Sequence, residues 1–183
     1  MQVHSSSKNA YLSVSFGLTE YMLSQDKLPI IVCIGCDRVV GDSLAPIVGD
    51  ILKNKYNLPT YVYGDLDYNI TAQEIKELVC KVKTWHPNAP IVVIDATLGK
   101  QEEVGVIKYY KGGCYPAAVY GNNTTKVGDY CILGVVDENK TSKQAFLCGI
   151  TMQTITELAN VIAMSVATAF KFSHIINYVS DNV

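Results

Sequence analysis

The sequence predicts an α/β fold, a three-layer sandwich in which helices cover both faces of a mostly parallel central sheet. Two runs of apolar, largely β-branched residues, at 30–34 and 91–94, are typical of strands that are buried on both faces. Segments with apolar residues at helical spacing lie between and after these runs. Because strands that alternate with helices usually form parallel sheets, this order favours an α/β sandwich.

Each predicted element has a local signal. Asp42 or Ser43 can cap the helix after the first buried strand, and Pro46 is tolerated in its first turn. Thr71-Ala-Gln-Glu74 is a capping box, and Pro87 ends the helix that it opens. In chain order we expect a weak helix over 8–24, strand 30–34, helix 43–55, strand 61–63, a helix from the capping box to about 85, and strands 91–94, 104–110, 130–136 and 144–150.

The last helix has the clearest pattern. Thr154 and Glu157 have the spacing of a second capping box, which can begin the helix. The apolar residues that follow recur at helical spacing and form one face. This face consists of Ile155, Leu158, Ala159, Ile162, Val166, Ala169 and Phe170.

Composition and charge narrow the class of protein. Apolar residues make up 49% of the 183 residues and charged residues 17%, so a disordered chain is excluded. This length suits one domain, and we expect a single α/β domain over 1–183, with 1–25 as an N-terminal helix or a mobile segment. The net charge of −2 gives no positive field for nucleic acid or acidic lipid, and we expect neither as a partner.

The sequence also favours a cytoplasmic location. Its N-terminal segment lacks the basic and apolar regions of a signal peptide. The apolar stretch at 158–170 is shorter than the roughly 20 residues that span a bilayer. Of the six cysteines only Cys33 and Cys36 have CxxC spacing, and Cys33 falls inside a predicted strand. We expect reduced, structural cysteines.

Acidic residues follow both buried strands. Asp37 and Asp42 come after the first strand, and Asp95 comes directly after the second. Ligands of open α/β sheets bind beyond the carboxyl ends of the strands, so neighbouring strands would bring Asp42 and Asp95 into one crevice. Two shielded carboxylates do not both ionise readily, and one pKa rises while the other stays low. Such a pair can activate water and protonate a leaving amine, or it can hold a divalent metal.

These acids also have ordinary structural explanations. Asp42 stands where a helix N-cap belongs, and Asp95 can accept hydrogen bonds in a tight turn after its strand. Asp37 can bind its own loop or pair with Arg38. The residues alone therefore leave a catalytic pair, a metal site and a structural role open.

The segment that carries the first acids resembles a family signature. "IGCDRVVGDSLAPIVG", residues 34–49, is similar to the strand-and-loop motif of the YyaC family of sporulation proteins, often called spore protease YyaC. "YVYGDLD", "IVVIDATLGK" and "VGDYCILGVV" resemble further segments of that family in the same order. The resemblance extends from about residue 30 to the end of the last helix.

The resemblance implies roles for specific residues. The YyaC family is similar in turn to germination protease and the hydrogenase maturation proteases, which share a phosphorylase/hydrolase-like α/β fold. Two catalytic aspartates of germination protease match Asp42 and Asp95, and Asp37, Arg38 and Gly41 would then shape the loop. In hydrogenase maturation proteases the matching acids bind nickel together with a histidine. No histidine of this sequence clearly matches that ligand, so no cofactor is expected, although a divalent metal at the pair stays open.

The implied function is an aspartic-type endopeptidase that acts on a protein or peptide during sporulation or germination, in the cytoplasm of a spore-forming cell. Two alternatives stay open. One is a metal-dependent maturation protease, and the other is a catalytically silent protein that binds a peptide or a partner. Relatives associate, so a homo-oligomer is also open.

Overall fold

A six-stranded sheet with the order β1-β5-β6-β4-β2-β3 forms the centre of the described part of the chain. The computed structural model describes residues 1–71, 73–116, 126–139 and 150–182. The strands are β1 (Gln2–His4), β2 (Ile30–Ile34), β3 (Val62–Tyr63), β4 (Ile91–Gly99), β5 (Val106–Lys111) and β6 (Tyr130–Glu138), and the helices are α1 (Ala10–Leu23), α2 (Leu44–Ile51), α3 (Ile75–Trp85) and α4 (Met152–Asp181).

The sheet is mostly parallel, as predicted. β3, β2, β4 and β6 run parallel to one another, whereas β5 pairs antiparallel with both β6 and β1. β2 and β4 are direct neighbours, and Ile34 lies opposite Asp95 in their register. The two predicted apolar strands are therefore adjacent in the centre of the sheet.

Helices pack on both faces of the sheet and form the predicted three-layer α/β sandwich. On one face, apolar residues of α1, α2 and α4 enclose a core with alternate residues of the strands, among them Ile31 and Val92. On the other face, Ile75 and Val82 of α3 pack against a second core that includes Val93. The α3 face has only this one helix among the described residues, and the segments around Cys114 and Val127 cover part of the remainder.

Two strands differ from the predictions. Residues 2–4 form β1, paired with β5, and the imidazole of His4 lies 3.1 Å from the carbonyl of Val104, so His4 is not in a mobile tail. β4 does not end before Asp95 but continues to Gly99, because it stays paired with β6 on both sides of a register shift. Asp95 therefore lies inside a strand. The predicted strand 144–150 falls almost wholly outside the described residues.

The helix starts also differ from the predictions. The region 43–55 is divided into a 3-10 turn at Val40–Ser43, helix α2, and a wide π-type turn at Leu52–Tyr56. Neither Asp42 nor Ser43 caps α2 through its side chain, and the Ser43 hydroxyl donates to the Val40 carbonyl. The predicted capping box is half formed, since the Glu74 carboxylate accepts from the Thr71 backbone N–H at 3.0 Å and α3 begins only at Ile75.

Helix α4 is longer than its apolar pattern indicated. It begins at Met152, and Thr151 rather than Thr154 caps it, by accepting a hydrogen bond from the Thr154 backbone N–H at 3.2 Å. By length and composition, residues 152–180 are apolar enough to cross a membrane, but half of the most apolar window is buried within the protein. Its first part is thus a core helix of the sandwich.

Helix α2 packs unusually close to the turn that follows β3, and Gly49→Ala tests this contact. A Cβ at position 49 would lie 1.9 Å from the carbonyl oxygen of Gly64. Because the obstructing atom belongs to the backbone, α2 would have to move, and we expect a loss of about 2 kcal/mol in the free energy of unfolding. Urea unfolding measures this loss. The matched control Asp50→Ala, one position along the same helix, should change stability by only about 0.5 kcal/mol; equal effects of the two substitutions would contradict this account.

Candidate active site at the ends of strands β2 and β4

The loop after β2 folds back over the end of its own strand. The Cys36 backbone N–H donates to the Asp42 carbonyl at 3.2 Å, and the Gly35 N–H donates to the Ile70 carbonyl at 2.9 Å. A Cβ at position 35 would lie 2.2 Å from the Asp42 carbonyl oxygen, so glycine is required for this close approach. The 3-10 turn that carries Asp42 consequently packs against β4.

Asp95 lies in the interior of the sheet at the centre of this region. It occupies the α3 face of β4, two residues after Val93, and only 9% of its surface is exposed. Its neighbours across the sheet are Ile34 on β2 and Leu133 on β6. The Ala96 backbone N–H donates to Asp95 Oδ1 at 2.8 Å. An aspartate is thus placed where the pattern of the strand would otherwise put an apolar residue.

The Asp42 carboxyl acts electrostatically on Asp95. Burial raises the pKa of Asp95 well above its usual range, and the nearby Cys114 and Asp42 groups raise it further, against a hydrogen bond from Ala96. Burial also raises the pKa of the half-buried Asp42, against a hydrogen bond from the Cys36 backbone. Because Asp95 is the more deeply buried of the two, it holds its proton to higher pH than Asp42 does.

Neutral side chains surround Asp95 on the α3 face. A hydrogen bond with the Cys131 side chain, together with burial, raises the pKa of the Cys114 thiol. The pKa of Tyr110 is raised to about 12, mainly by burial and to a smaller extent by the nearby thiols of Cys131 and Cys114. The Cys114 thiol and the Tyr110 hydroxyl therefore stay protonated at neutral pH, and no described residue forms an ion pair with Asp95. The sequence indicates that the cysteines are structural but does not place Tyr110, Cys114 or Cys131 beside Asp95. The alternation of β5 and β6 was the signal for Tyr110 and Cys131.

The cysteines are reduced in the described part of the chain. Cys33, Cys36, Cys80, Cys114 and Cys131 are all free. Cys33 is fully buried in β2, and burial raises the pKa of its thiol. The CxxC spacing thus reflects one core position and one loop position.

The three residues expected to support the loop differ in their surroundings. Asp37 is bound to Asn69: its backbone N–H donates to Asn69 Oδ1 at 3.1 Å, and its carboxylate accepts from Asn69 Nδ2 at 2.9 Å. Arg38 is exposed and forms no ion pair with any residue that the structure describes. Gly41 is buried directly before Asp42. Asp37 therefore connects two loops rather than pairing with Arg38.

The described residues contain no metal centre. Nowhere in the described ranges do three His, Cys, Asp or Glu side chains come together as metal ligands. A divalent ion at Asp42 and Asp95 would thus have only these two side-chain ligands from this part of the chain. The histidines have other surroundings: His4 is near Val104, His86 lies 2.8 Å from the Tyr63 hydroxyl, and His174 is exposed.

Asp65, after the end of β3, is a structural acid by contrast. Its carboxylate forms a salt bridge with Lys53 and accepts a hydrogen bond from the Tyr68 backbone N–H at 2.6 Å. Burial acts to raise its pKa, but the Lys53 and Tyr68 hydrogen bonds outweigh it, so the pKa is lowered. Asp65 is therefore ionised and fully engaged in a turn.

Comparison with known proteins places this chain in a family. The family model described as "Protein of unknown function (DUF1256)" matches residues 2–165. The "Uncharacterized protein YyaC" of Bacillus subtilis (strain 168) is 32% identical over 134 residues, which cover 73% of this chain and 65% of that protein. The match thus spans slightly less than two thirds of the length of the curated relative.

A loose structural likeness is found to a NiFe hydrogenase maturation protease, HycI from Thermococcus kodakarensis KOD1. Its crystal structure superposes with a TM-score of 0.42 and 17% sequence identity, over 80% of this chain and 97% of that one.

The raised pKa of Asp95 makes the stability of the fold depend on pH. A carboxyl whose pKa is raised by folding contributes stability that is complete below its unfolded pKa and is lost as pH rises through its folded pKa. Each unit of pKa difference contributes about 1.4 kcal/mol. We expect the free energy of unfolding to fall as pH rises above the usual carboxyl range, and Asp95→Asn to reduce that fall.

Chemical unfolding at a series of pH values measures both effects. The matched control is Asp67→Asn, an exposed acid in the turn after β3, which should keep the wild-type dependence on pH. An Asp95→Asn variant whose stability follows the wild-type curve at every pH would show that Asp95 is not held protonated.

Proposed function

This chain belongs to the YyaC family, matched by the DUF1256 model over residues 2–165, and we propose that it is a peptidase in which Asp42 and Asp95 activate water as a pair. The observation that supports this proposal most strongly is the buried Asp95 carboxyl, whose pKa is raised by burial and by Asp42. A carboxyl that keeps its proton beside one that ionises is the arrangement that acid–base hydrolysis requires.

Each acid has a distinct part in the proposed reaction. Ionised Asp42 takes a proton from water, the water oxygen bonds to the peptide carbonyl carbon, and Asp95 gives its proton to the carbonyl oxygen. The carbon–nitrogen bond then breaks: Asp42 gives its proton to the leaving amine, and Asp95 takes a proton back from a hydroxyl of the intermediate. The products are a carboxylic acid and an amine, and both acids return to their starting states.

The surroundings of the pair suit these parts. The apolar neighbours of Asp95 keep its carboxyl neutral, while half-buried Asp42 has access to water at the loop. Asp37 holds the loop of Asp42 through Asn69. Exposed Arg38 is available at the rim to contact a carbonyl oxygen or an acidic group of the substrate.

The substrate that we propose is a protein or peptide, cleaved during sporulation or germination in the cytoplasm. The family resemblance supports this context. The net charge of −2 argues against a nucleic-acid substrate, whose phosphates a basic surface would have to neutralise. A metal-dependent version of the reaction is less well supported, since the pair offers two ligands from the described residues.

Substitution of either acid tests the assignment. We expect Asp42→Asn and Asp95→Asn each to lower kcat/KM by about 10²–10⁴-fold, because the amide can neither accept the water proton nor supply an acidic one. The measurement is hydrolysis of a quenched fluorescent peptide library and of an unfolded model protein. Asp67→Asn is the matched control and should retain full activity. Hydrolysis at the wild-type rate in both active-site variants would refute the mechanism.

The pKa values also predict the pH profile of activity. Since burial raises the pKa of Asp42, the acid limb of kcat/KM should lie above pH 3.8, where a free carboxyl of this type ionises. The alkaline limb should follow the loss of the Asp95 proton and lie at higher pH. Addition of EDTA should leave the profile unchanged. A profile that is flat across the carboxyl range, or activity abolished by EDTA and restored by a divalent ion, would contradict the proposal.

A further inference from the structure

The C-terminal end of α4 extends beyond the core of the protein. The helix has 30 residues and is therefore about 45 Å long. It is buried at Phe170 and Ser173, but every residue from His174 to Ser180 is exposed. The last two turns thus leave the sandwich, although the segment is rich in apolar residues.

The exposed end carries a continuous apolar stripe. Phe172, Ile175, Ile176 and Val179 follow the i, i+3, i+4, i+7 spacing and lie on one face of the helix. Phe16 of α1 stacks on Phe172, with ring centroids 5.6 Å apart. We call these five residues the tail patch. Exposure is 60% for Phe16, 56% for Ile175 and 52% for Val179, so the patch is largely open to solvent.

The tail patch continues the face of α4 that packs on α1. One turn earlier, the Thr19 hydroxyl donates to the Ala169 carbonyl at 3.5 Å, within a contact that buries both residues. Beyond Phe172, the described residues leave the stripe largely uncovered, since Ile175, Ile176 and Val179 are all exposed. Aromatic and β-branched residues are weak helix formers, and two turns of helix gain little stability without packing. The exposed end therefore needs a surface to pack against.

We propose that the tail patch is the interface between two copies of this chain, joined about a two-fold axis with the ends of α4 packed against each other. A two-fold axis brings the same patch of each copy together, so an apolar stripe is self-complementary. The patch and Tyr178 expose on the order of 500 Å² of apolar surface. A homodimer interface of about 800 Å² per partner, roughly 65% of it apolar, requires a similar area.

The absence of charge in the tail patch favours a second copy over other occupants. The patch contains no charged residue, so it offers nothing that would select a charged partner protein. Its polar face consists of His174, Asn177 and Ser180, with Lys171 one turn earlier as the single basic residue at this end of α4, whereas helices that lie on lipid are rich in Lys and Arg there.

The dimer leaves the candidate active site accessible. Thr151 and Thr154, at the start of α4, line one cavity together with Asp137 and Glu138, at the end of β6. Since Asp42 and Asp95 lie toward the same carboxyl end of the sheet, the far end of α4 points away from them. The proposed dimer is thus independent of the proposed peptidase activity.

Sedimentation velocity of the full chain over about two decades of concentration, from roughly 1 to 100 μM, tests the interface. We expect a dimer in the wild type, and dissociation to monomer in the double variant Ile175→Glu/Val179→Glu, with Kd raised at least about 100-fold by four buried charges per dimer. Asn177→Glu, on the opposite face of the same turns, is the matched control and should remain dimeric. If circular dichroism shows that the double variant is unfolded, the milder variant Ile175→Ser replaces it in the same measurement.

Three results would overturn the proposal. The first is a wild-type chain that is monomeric throughout the concentration range. The second is a dimer that is unchanged in Ile175→Ser and in the double variant. The third is a monomer that binds phosphatidylcholine–phosphatidylglycerol vesicles through Ile175 and Val179, which would assign the tail patch to lipid.

Discussion

The burial of one carboxyl in the middle of a parallel sheet is the constraint on which the rest of this site depends. Asp95 occupies a strand position where its neighbours across the sheet are Ile34 and Leu133. A charge in such surroundings is costly, so the group shifts its pKa and keeps its proton. The fold thereby holds a neutral acid toward the carboxyl ends of the central strands, where α/β proteins bind ligands. Selection for stability alone would favour an apolar residue there.

The backbone brings the second carboxyl to this position. The parallel pairing of β2 with β4 fixes the end of β2 beside Asp95. Glycine at position 35 lets the returning loop approach, and Gly49 lets α2 pack close to the turn at Gly64. Asp42 then lies at the start of α2, on a turn that packs against β4. Tight backbone contacts, rather than side-chain ion pairs, therefore determine where Asp42 lies.

The sequence predicted the α/β sandwich because its strongest signals were two continuous apolar runs, which strands buried on both faces require. The runs at 30–34 and 91–94 are buried strands, and their adjacency follows from parallel topology. The extension of β4 beyond Asp95 was missed because half-exposed strand residues lack a continuous apolar pattern. The predicted N-caps were wrong because several polar residues near each helix start can form the cap. The sequence does not show which of them does so, and the contacts of Thr151 and Ser43 decided it. The positions of Tyr110, Cys114 and Cys131 around Asp95 were not predicted, because they depend on contacts between β5, β6 and a loop.

We infer that the charge of Asp42 helps to hold the proton on Asp95. The most direct test of this inference is an NMR titration of the Asp95 side-chain carboxyl in ¹³C-labelled protein, carried out on the wild type and on Asp42→Asn. We expect Asp95 to titrate well above the usual carboxyl range in the wild type, and at lower pH once the charge of Asp42 is removed. An Asp95 carboxyl that titrates in the usual range, at the same pH in both proteins, would contradict it.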